Sequence, residues 1–214
     1  LDAYPRTMAA DKEKLFSEGV HVLYAPAAEE IYPEGMAAQT QVQVPDLGDT
    51  LCGSSRPGHF DGVATVVVKL LNAVMPDVAY FGLKDFQQLA VIRSVVRDLN
   101  IKCDVRGVPT VRNEMGLALS SRNSRLSPVQ LEQASIIYSL LIEMANQARS
   151  SETSTLTLQN QFNDRMKSVS GTKVEYVEVV DSDSLLPATT AQKGTTICVA
   201  VRFDDVRLID NISI

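Results

Sequence analysis

The chain is poor in the residues that would announce several common functions. Its 214 residues hold two histidines and three cysteines, and 20 Lys and Arg stand against 26 Asp and Glu, a net charge of −6. No Lys/Arg cluster interrupts this acidic background, which argues against a nucleic-acid or membrane-surface binder. Any anionic ligand must therefore find local positive charge. Cys52, Cys103 and Cys198 are odd in number and lack metal-ligand spacing, so they read as buried thiols of a reducing cytosol rather than as a disulfide framework or metal site. No apolar run reaches the length of a membrane span, no signal-peptide pattern opens the chain, and there are no repeats or low-complexity tracts. With 45% hydrophobic residues the chain is expected to be soluble and globular, long enough for one large domain or two small ones.

Along the chain, Thr7 to Glu18 predicts a polar helix stopped by Gly19, and Val20 to Tyr24 a strand. Prolines and Gly35 then mark a loop before an alternating strand over Thr40 to Val44, ended by Pro45. The glycine-rich stretch from Gly53 to Gly62 leads into a helix from Val63 to Met75 that is apolar nearly all round. Such a helix is buried, against a sheet on one side and a second subunit on the other. His59, at its entry, reads as a capping or hydrogen-bonded structural residue more readily than as a catalyst.

The organising stretch is Phe81-Gly82-Leu83-Lys84-Asp85-Phe86-Gln87-Gln88. It joins the apolar run Val78–Tyr80 to the helical spacing of Asp85 to Leu99, so it is a strand-to-helix corner. Corners of this kind present free backbone N–H groups to anions. Gly82 lets a nucleotide approach the backbone, Lys84 adds a cation, and Gln88 follows one turn later on the same face, whereas Gln87 points elsewhere and reads as structural. A strand over Lys102 to Val108 completes a βαβ unit. The loop from Pro109 to Asn123 then carries Gly116-Leu117-Ala118-Leu119-Ser120-Ser121-Arg122-Asn123, whose hydroxyls and guanidinium suit phosphate oxygens. Taken singly, each stretch has an ordinary alternative as a solvated helix start or polar turn. Ser127-Pro128 opens a helix to about Arg149, residues 150–155 form a polar linker, a helix covers Leu158 to Ser168, and strands occupy 174–180, 195–201 and 206–209.

Together with Arg56-Pro57-Gly58-His59-Phe60 and Tyr4-Pro5-Arg6, these motifs resemble the pantoate–β-alanine ligase (pantothenate synthetase) family, and the likeness runs from Leu1 to Arg207-Leu208-Ile209-Asp210-Asn211. The resemblance implies an α/β fold: a Rossmann-like parallel-sheet nucleotide domain over residues 1–108, related to class I nucleotidyltransferases, followed by a small α+β lid domain over 109–214. It implies ATP with Mg2+, pantoate and β-alanine as ligands, a pantoyl-adenylate intermediate, a homodimer and a cytoplasmic location. It further implies ATP contacts at Gly82, Leu83, Lys84, Asp85, Val111, Leu119, Ser120, Ser121 and Arg122, pantoate at Gln88, catalytic charge at Lys84 and Arg122, and no protein-held metal.

Two departures stand out. Leu83 replaces a polar residue of many members, harmless if only its backbone faces the nucleotide. The family's histidine-bearing Pro-Thr-Met-Gly and His-x-Gly-His segment has no counterpart here, and neither His21 nor His59 has the right surroundings to replace it. The start of the chain also reads like mid-protein sequence, so upstream residues are expected, and this stretch alone is expected to be inactive. The rival readings are a related nucleotidyltransferase and a non-enzymatic nucleotide-binding or dimerising fragment.

Overall fold

The computed structural model describes residues 7–214. The Tyr4-Pro5-Arg6 motif lies outside them. The chain divides into two units, one ending at Thr40 and the other spanning Gln41–Ile214.

In the first unit, α1 covers Met8–Ser17 and α2 covers Ala28–Ile31. The strand expected over Val20 to Tyr24 does not form. A strand needs a ladder partner, and Val20–Tyr24 has none among the described residues; Val22 stays 80% exposed.

The second unit begins with another correction. The alternating stretch 40–44 forms no strand; the Val42 N–H donates instead to Thr65 Oγ1 at 2.9 Å. Val42 and Val44 pack against a cluster of Cys52, Phe60, Ala64, Val91 and Val95. Helix α3 runs over His59–Val74, starting four residues earlier than the apolar pattern suggested. Phe60, Ala64, Thr65 and Leu71 are its buried residues, while Val74 and Met75 are exposed, so the helix is less enclosed than its composition implied.

Strand β1 (Val78–Gly82), a short 3-10 turn over Leu83–Asp85, helix α4 (Phe86–Asp98) and strand β2 (Asp104–Val108) form the expected βαβ unit. The strands pair in parallel, with Gly82 opposite Val108. Close packing fixes one residue type here: a Cβ on Gly107 would lie 2.8 Å from Leu83 Cδ2 and 3.0 Å from Leu89 Cδ2.

Three helices and a three-stranded antiparallel sheet follow. Ser127 caps α5 (Pro128–Ala134) through a capping box with Gln130. The single helix expected to Arg149 is divided at Ser135, whose hydroxyl and N–H both turn back to the Glu132 carbonyl, and α6 resumes over Ile136–Ser150. The expected linker is also structured. Thr153–Ser154 is a two-residue strand, β3, and Ser154 caps α7, which covers Thr155–Met166.

The main sheet is made of β4 (Thr172–Asp181), β6 (Thr195–Phe203) and β7 (Val206–Ser213), in the order β4-β6-β7, and β5 (Thr190–Ala191) pairs with β3. Alternate residues of β6 face opposite sides of the sheet. Ile197, Val199, Val201 and Phe203 join the core of α5–α7, while Cys198 faces Leu51 and Leu185. Tyr176 and Ile209 likewise meet the α3–α4 cluster. The sheet is therefore covered on both sides, and its second face backs onto the strand-to-helix corner.

Candidate active site

The corner at Lys84 and the loop ending at Arg122 are brought together. Lys84, Ser120, Arg122 and Asn123 line one narrow cleft with Tyr138, Arg207 and Asp210. The two motifs are far apart in sequence, and strand β7 holds both. The Asn211 amide donates to the Leu83 carbonyl at 2.9 Å and to the Lys84 carbonyl at 3.0 Å. One residue earlier, Asp210 takes a bidentate pair from Arg112 at 2.6 and 2.9 Å. Arg112 also donates to the Gly116 carbonyl, and its guanidinium lies 3.4 Å from the Tyr138 ring centre. Gly116, at φ +87°, sits where a Cβ would lie 3.0 Å from that ring. Finally, Arg122 Nη1 donates to the Arg207 carbonyl at 3.2 Å.

At the corner itself, Lys84 Nζ lies 3.4 Å from Asp85 Oδ1, the lysine largely covered and the aspartate half exposed. Asp85 occupies the N-cap position of α4 but makes no side-chain cap bond; its carboxylate partner is Lys84. Gly82 is exposed, and a Cβ placed on it meets nothing within 4 Å. The Leu83 side chain turns to Gly107, and its carbonyl is taken by the Asn211 amide. Gln87 is buried: it accepts from the Cys52 N–H and donates to the carbonyls of Leu47 and Thr50, a structural anchor for the loop before Arg56. Gln88, on the first turn of α4, is half-buried.

In the second loop Ser120 accepts from the Arg122 N–H and starts a 3-10 turn over Ser121–Arg125. Ser121 is exposed and does not line the cleft. Val111 and Leu119 are joined by a backbone bond of 2.9 Å and are both exposed outside the cleft, at 64% and 54%. Asn123 donates to the Ala118 carbonyl, while its Oδ1 is buried without a partner.

The positive charge that an anion requires is present. Arg56, Arg122, Arg125, Arg202 and Arg207 line an adjoining cleft of about 260 Å3 with Ser55 and Asp205. Burial, then Arg122, lowers the pKa of Arg56. His59 is lowered by burial and by Arg56, Arg122 and Arg207. Arg207 is raised: burial opposes this, but its 2.6 Å bond to Glu175 and its contact with the Cys52 thiol prevail. Burial, followed by the Cys52 contact at 3.1 Å, raises the Tyr176 hydroxyl. Cys52 and Cys198 are buried and Cys103 is partly so; all three are free.

Sequence reasoning missed Arg125 and Arg202, and it quoted Arg56, Asn123, Arg207, Asp210 and Asn211 only as parts of motifs. Among the described residues, no three His, Cys, Asp or Glu side chains gather to hold a metal ion, and no helix is long and apolar enough to cross a membrane.

Comparisons with known proteins converge. The family model described as pantoate-beta-alanine ligase matches residues 1–213. The pantothenate synthetase of Pseudomonas fluorescens is 50% identical over 212 residues, covering 99% of this chain and 74% of that protein. That of Pseudomonas entomophila is 51% identical over 214 residues, with 99% and 74% covered. Among solved structures, pantothenate synthetase from Thermus thermophilus superposes with a TM-score of 0.90 at 43% identity, over 99% of this chain and 76% of that one. Pantoate-beta-alanine ligase from Francisella tularensis, complexed with beta-gamma ATP and beta-alanine, gives a TM-score of 0.78 at 32% identity, over 98% and 71%.

Proposed function

The chain belongs to the pantoate–β-alanine ligase family, and from that premise we propose that it joins pantoate to β-alanine at the expense of ATP, through a pantoyl-adenylate. The observation that carries this reading is the meeting of Lys84, Ser120 and Arg122 at one cleft, held there by a single strand.

In the first step a pantoate carboxylate oxygen attacks the α-phosphorus of ATP. The new O–P bond forms as the bond from that phosphorus to the bridging oxygen breaks, and pyrophosphate leaves with the electron pair. Charge builds on the phosphoryl oxygens, where the Lys84 ammonium and Arg122 guanidinium neutralise it, each worth about 3 kcal/mol of barrier when preorganised. In the second step the unprotonated β-alanine amine attacks the acyl carbon, a C–N bond replaces the C–O bond to AMP, AMP takes the electron pair, and the amine proton is released.

Gln88 is the proposed pantoate ligand. The exposed Val111–Leu119 pair offers an apolar bed for the adenine. Gly82, Leu83 and Asp85 present the corner to the nucleotide, and Ser121 joins Ser120 at the phosphates. Magnesium is proposed to enter with the nucleotide, since that ion keeps several waters and binds through phosphates and one or two carboxylates. Asp85 is the carboxylate beside Lys84. We assign the nucleotide domain to residues 1–108 and the lid to 109–214, in a homodimer of the cytoplasm.

The test is AMP release with ATP, pantoate and β-alanine. The reading expects AMP only when both pantoate and β-alanine are present. Sustained, multiple-turnover pyrophosphate release from ATP that does not depend on β-alanine overturns it in favour of a related nucleotidyltransferase.

A further inference from the structure

Arg112 does not line the Lys84 cleft, yet its guanidinium ties together three segments that do. Residues 111–119 form a small hairpin: the Leu119 N–H donates to the Val111 carbonyl at 2.9 Å, the Asn113 N–H donates to the Leu117 carbonyl at 3.0 Å, and Arg112 faces Ala118 across it. Asn113 Oδ1 shapes the tip by accepting from the N–H groups of Met115 and Leu117. A lone hairpin is marginal in water, so its place is set by what it is tied to. Arg112 reaches the Gly116 carbonyl within the hairpin, both oxygens of Asp210 on β7, and the face of the Tyr138 ring in α6. The same ring bounds the tip, where a Cβ on Gly116 would lie 3.0 Å from it. Asp210 carries the tie onward. Its Oδ1 also accepts from the Asn211 N–H at 2.9 Å, and the Asn211 side chain holds the Leu83 and Lys84 carbonyls. One buried carboxylate thus joins the hairpin to the Lys84 corner.

We propose that Arg112 is a positioning residue for the adenosine half of the nucleotide. It fixes the hairpin that carries Val111 and Leu119, so that this apolar bed and the Lys84 corner stand at the separation one bound nucleotide spans. The corner and the Arg122 turn have ties of their own, to Asn211 and to the Arg207 carbonyl, so loss of Arg112 frees the adenosine end selectively. The inference rests on the ligase reading for its ligand and adds to it a residue outside the reacting groups.

Arg112→Lys separates positioning from mere stabilisation. A buried pair that served only the fold would need opposite charges, and lysine keeps the charge facing Asp210, so no carboxylate is stranded. A single ammonium, however, cannot hold two carboxylate oxygens, the Gly116 carbonyl and a flat seat on Tyr138 together. Lysine therefore rescues a structural pair and fails to rescue a positioning residue.

The experiment titrates ATP, AMP and pantoate by calorimetry into the parent protein, Arg112→Lys, and the double variant Arg112→Met with Asp210→Asn, which removes both charges together. Thermal unfolding of each accompanies it. Arg112→Lys should weaken ATP and AMP by the same factor, about tenfold, the scale on which a slightly misplaced group acts. Pantoate, proposed to bind at Gln88 on α4, should change by less than about twofold. The double variant should show the same selective loss, and it carries the test should Arg112→Lys unfold. Parent-like affinity for ATP and AMP in a folded variant overturns the inference. So does a loss for ATP that AMP does not share, or an equal loss for all three ligands, which marks general loosening. If neither variant folds, the pair is structural and the inference falls. A parent that binds no ATP removes the inference and the ligase reading together, whereas a parent that binds ATP but not pantoate sinks the ligase reading and leaves the comparison of ATP with AMP standing.

Discussion

A methyl group added at Gly82 meets no atom within 4 Å, and the residue's φ of −67° suits any L-amino acid. Among the described residues nothing requires glycine there, which fits the proposal that a nucleotide lies against this backbone. Gly82→Ala should leave stability within about 0.5 kcal/mol of the parent, since the change is exposed and unstrained. It should weaken ATP by roughly tenfold if the nucleotide lies against this backbone; calorimetry beside thermal unfolding separates the two effects. The Leu83 side chain packs on Gly107, and Gln87, whose spacing reads as structural, ties Cys52 to Leu47 and Thr50. Glu175 could not be read so, because its two arginine partners are 27 and 32 residues away and only the sheet brings them together. Burial would raise its pKa, but Arg207 and Arg202 hold it below the usual carboxylate range. A carboxylate depressed in the fold stabilises the protein above its unfolded pKa of about 4.3 and loses that contribution as pH falls through the folded value. Glu175→Gln should therefore cost about 3 kcal/mol at pH 7, because it strands the buried Arg207, and the gap to the parent should close as pH drops below about 4. Urea unfolding at several pH values reads both.

Strand β7 is the element on which the site depends. Its Arg207, Asp210 and Asn211 reach the Arg122 turn, the Arg112 loop and the Lys84 corner in succession. Asn211→Ala removes two bonds to carbonyls of the corner, so a loss of about 1–2 kcal/mol of stability is expected, with a larger fractional loss in the rate of AMP formation than in protein yield. Wild-type turnover in a folded Asn211→Ala protein contradicts this positioning role. The βαβ unit was legible because its signals are local: an apolar strand, a corner and a 3.6-residue period within thirty residues. The stretches 20–24 and 40–44 carried equally good local patterns, but a strand also needs a neighbour, which no local pattern supplies. The break at Ser135 and the early start of α7 were decided by single side chains turning to the backbone, at Ser135 and Ser154, below the resolution of periodicity. For the site, the cationic and hydroxyl residues were legible as motifs, whereas Arg112, Arg125 and Arg202 have no local signal and acquire meaning only from the loops packed around β7.

At the scale of the whole molecule, one assignment goes beyond the single chain. Half-buried Val66, Val67, Val68 and Leu70 along α3, with exposed Val74 and Met75 at its end, support the proposal of a homodimer that covers this helix. Light scattering at micromolar concentration should give twice the chain mass, and Val74→Asp should shift it toward the monomer; a parent that scatters as a monomer removes the proposal. The larger claim is that residues 38 positions apart, Lys84 and Arg122, act on one triphosphate because the fold gives them one cleft. Groups that share a ligand do not act additively when removed, and coupling of about 0.5–3 kcal/mol is usual for residues in one network. The direct measurement is a double-mutant cycle: ATP affinity by calorimetry for the parent, Lys84→Ala, Arg122→Ala and the double variant, each checked for folding. The account predicts at least a tenfold loss in each single variant and a coupling within that range. Equal ATP affinity in parent and Lys84→Ala, or strictly additive losses, would contradict it.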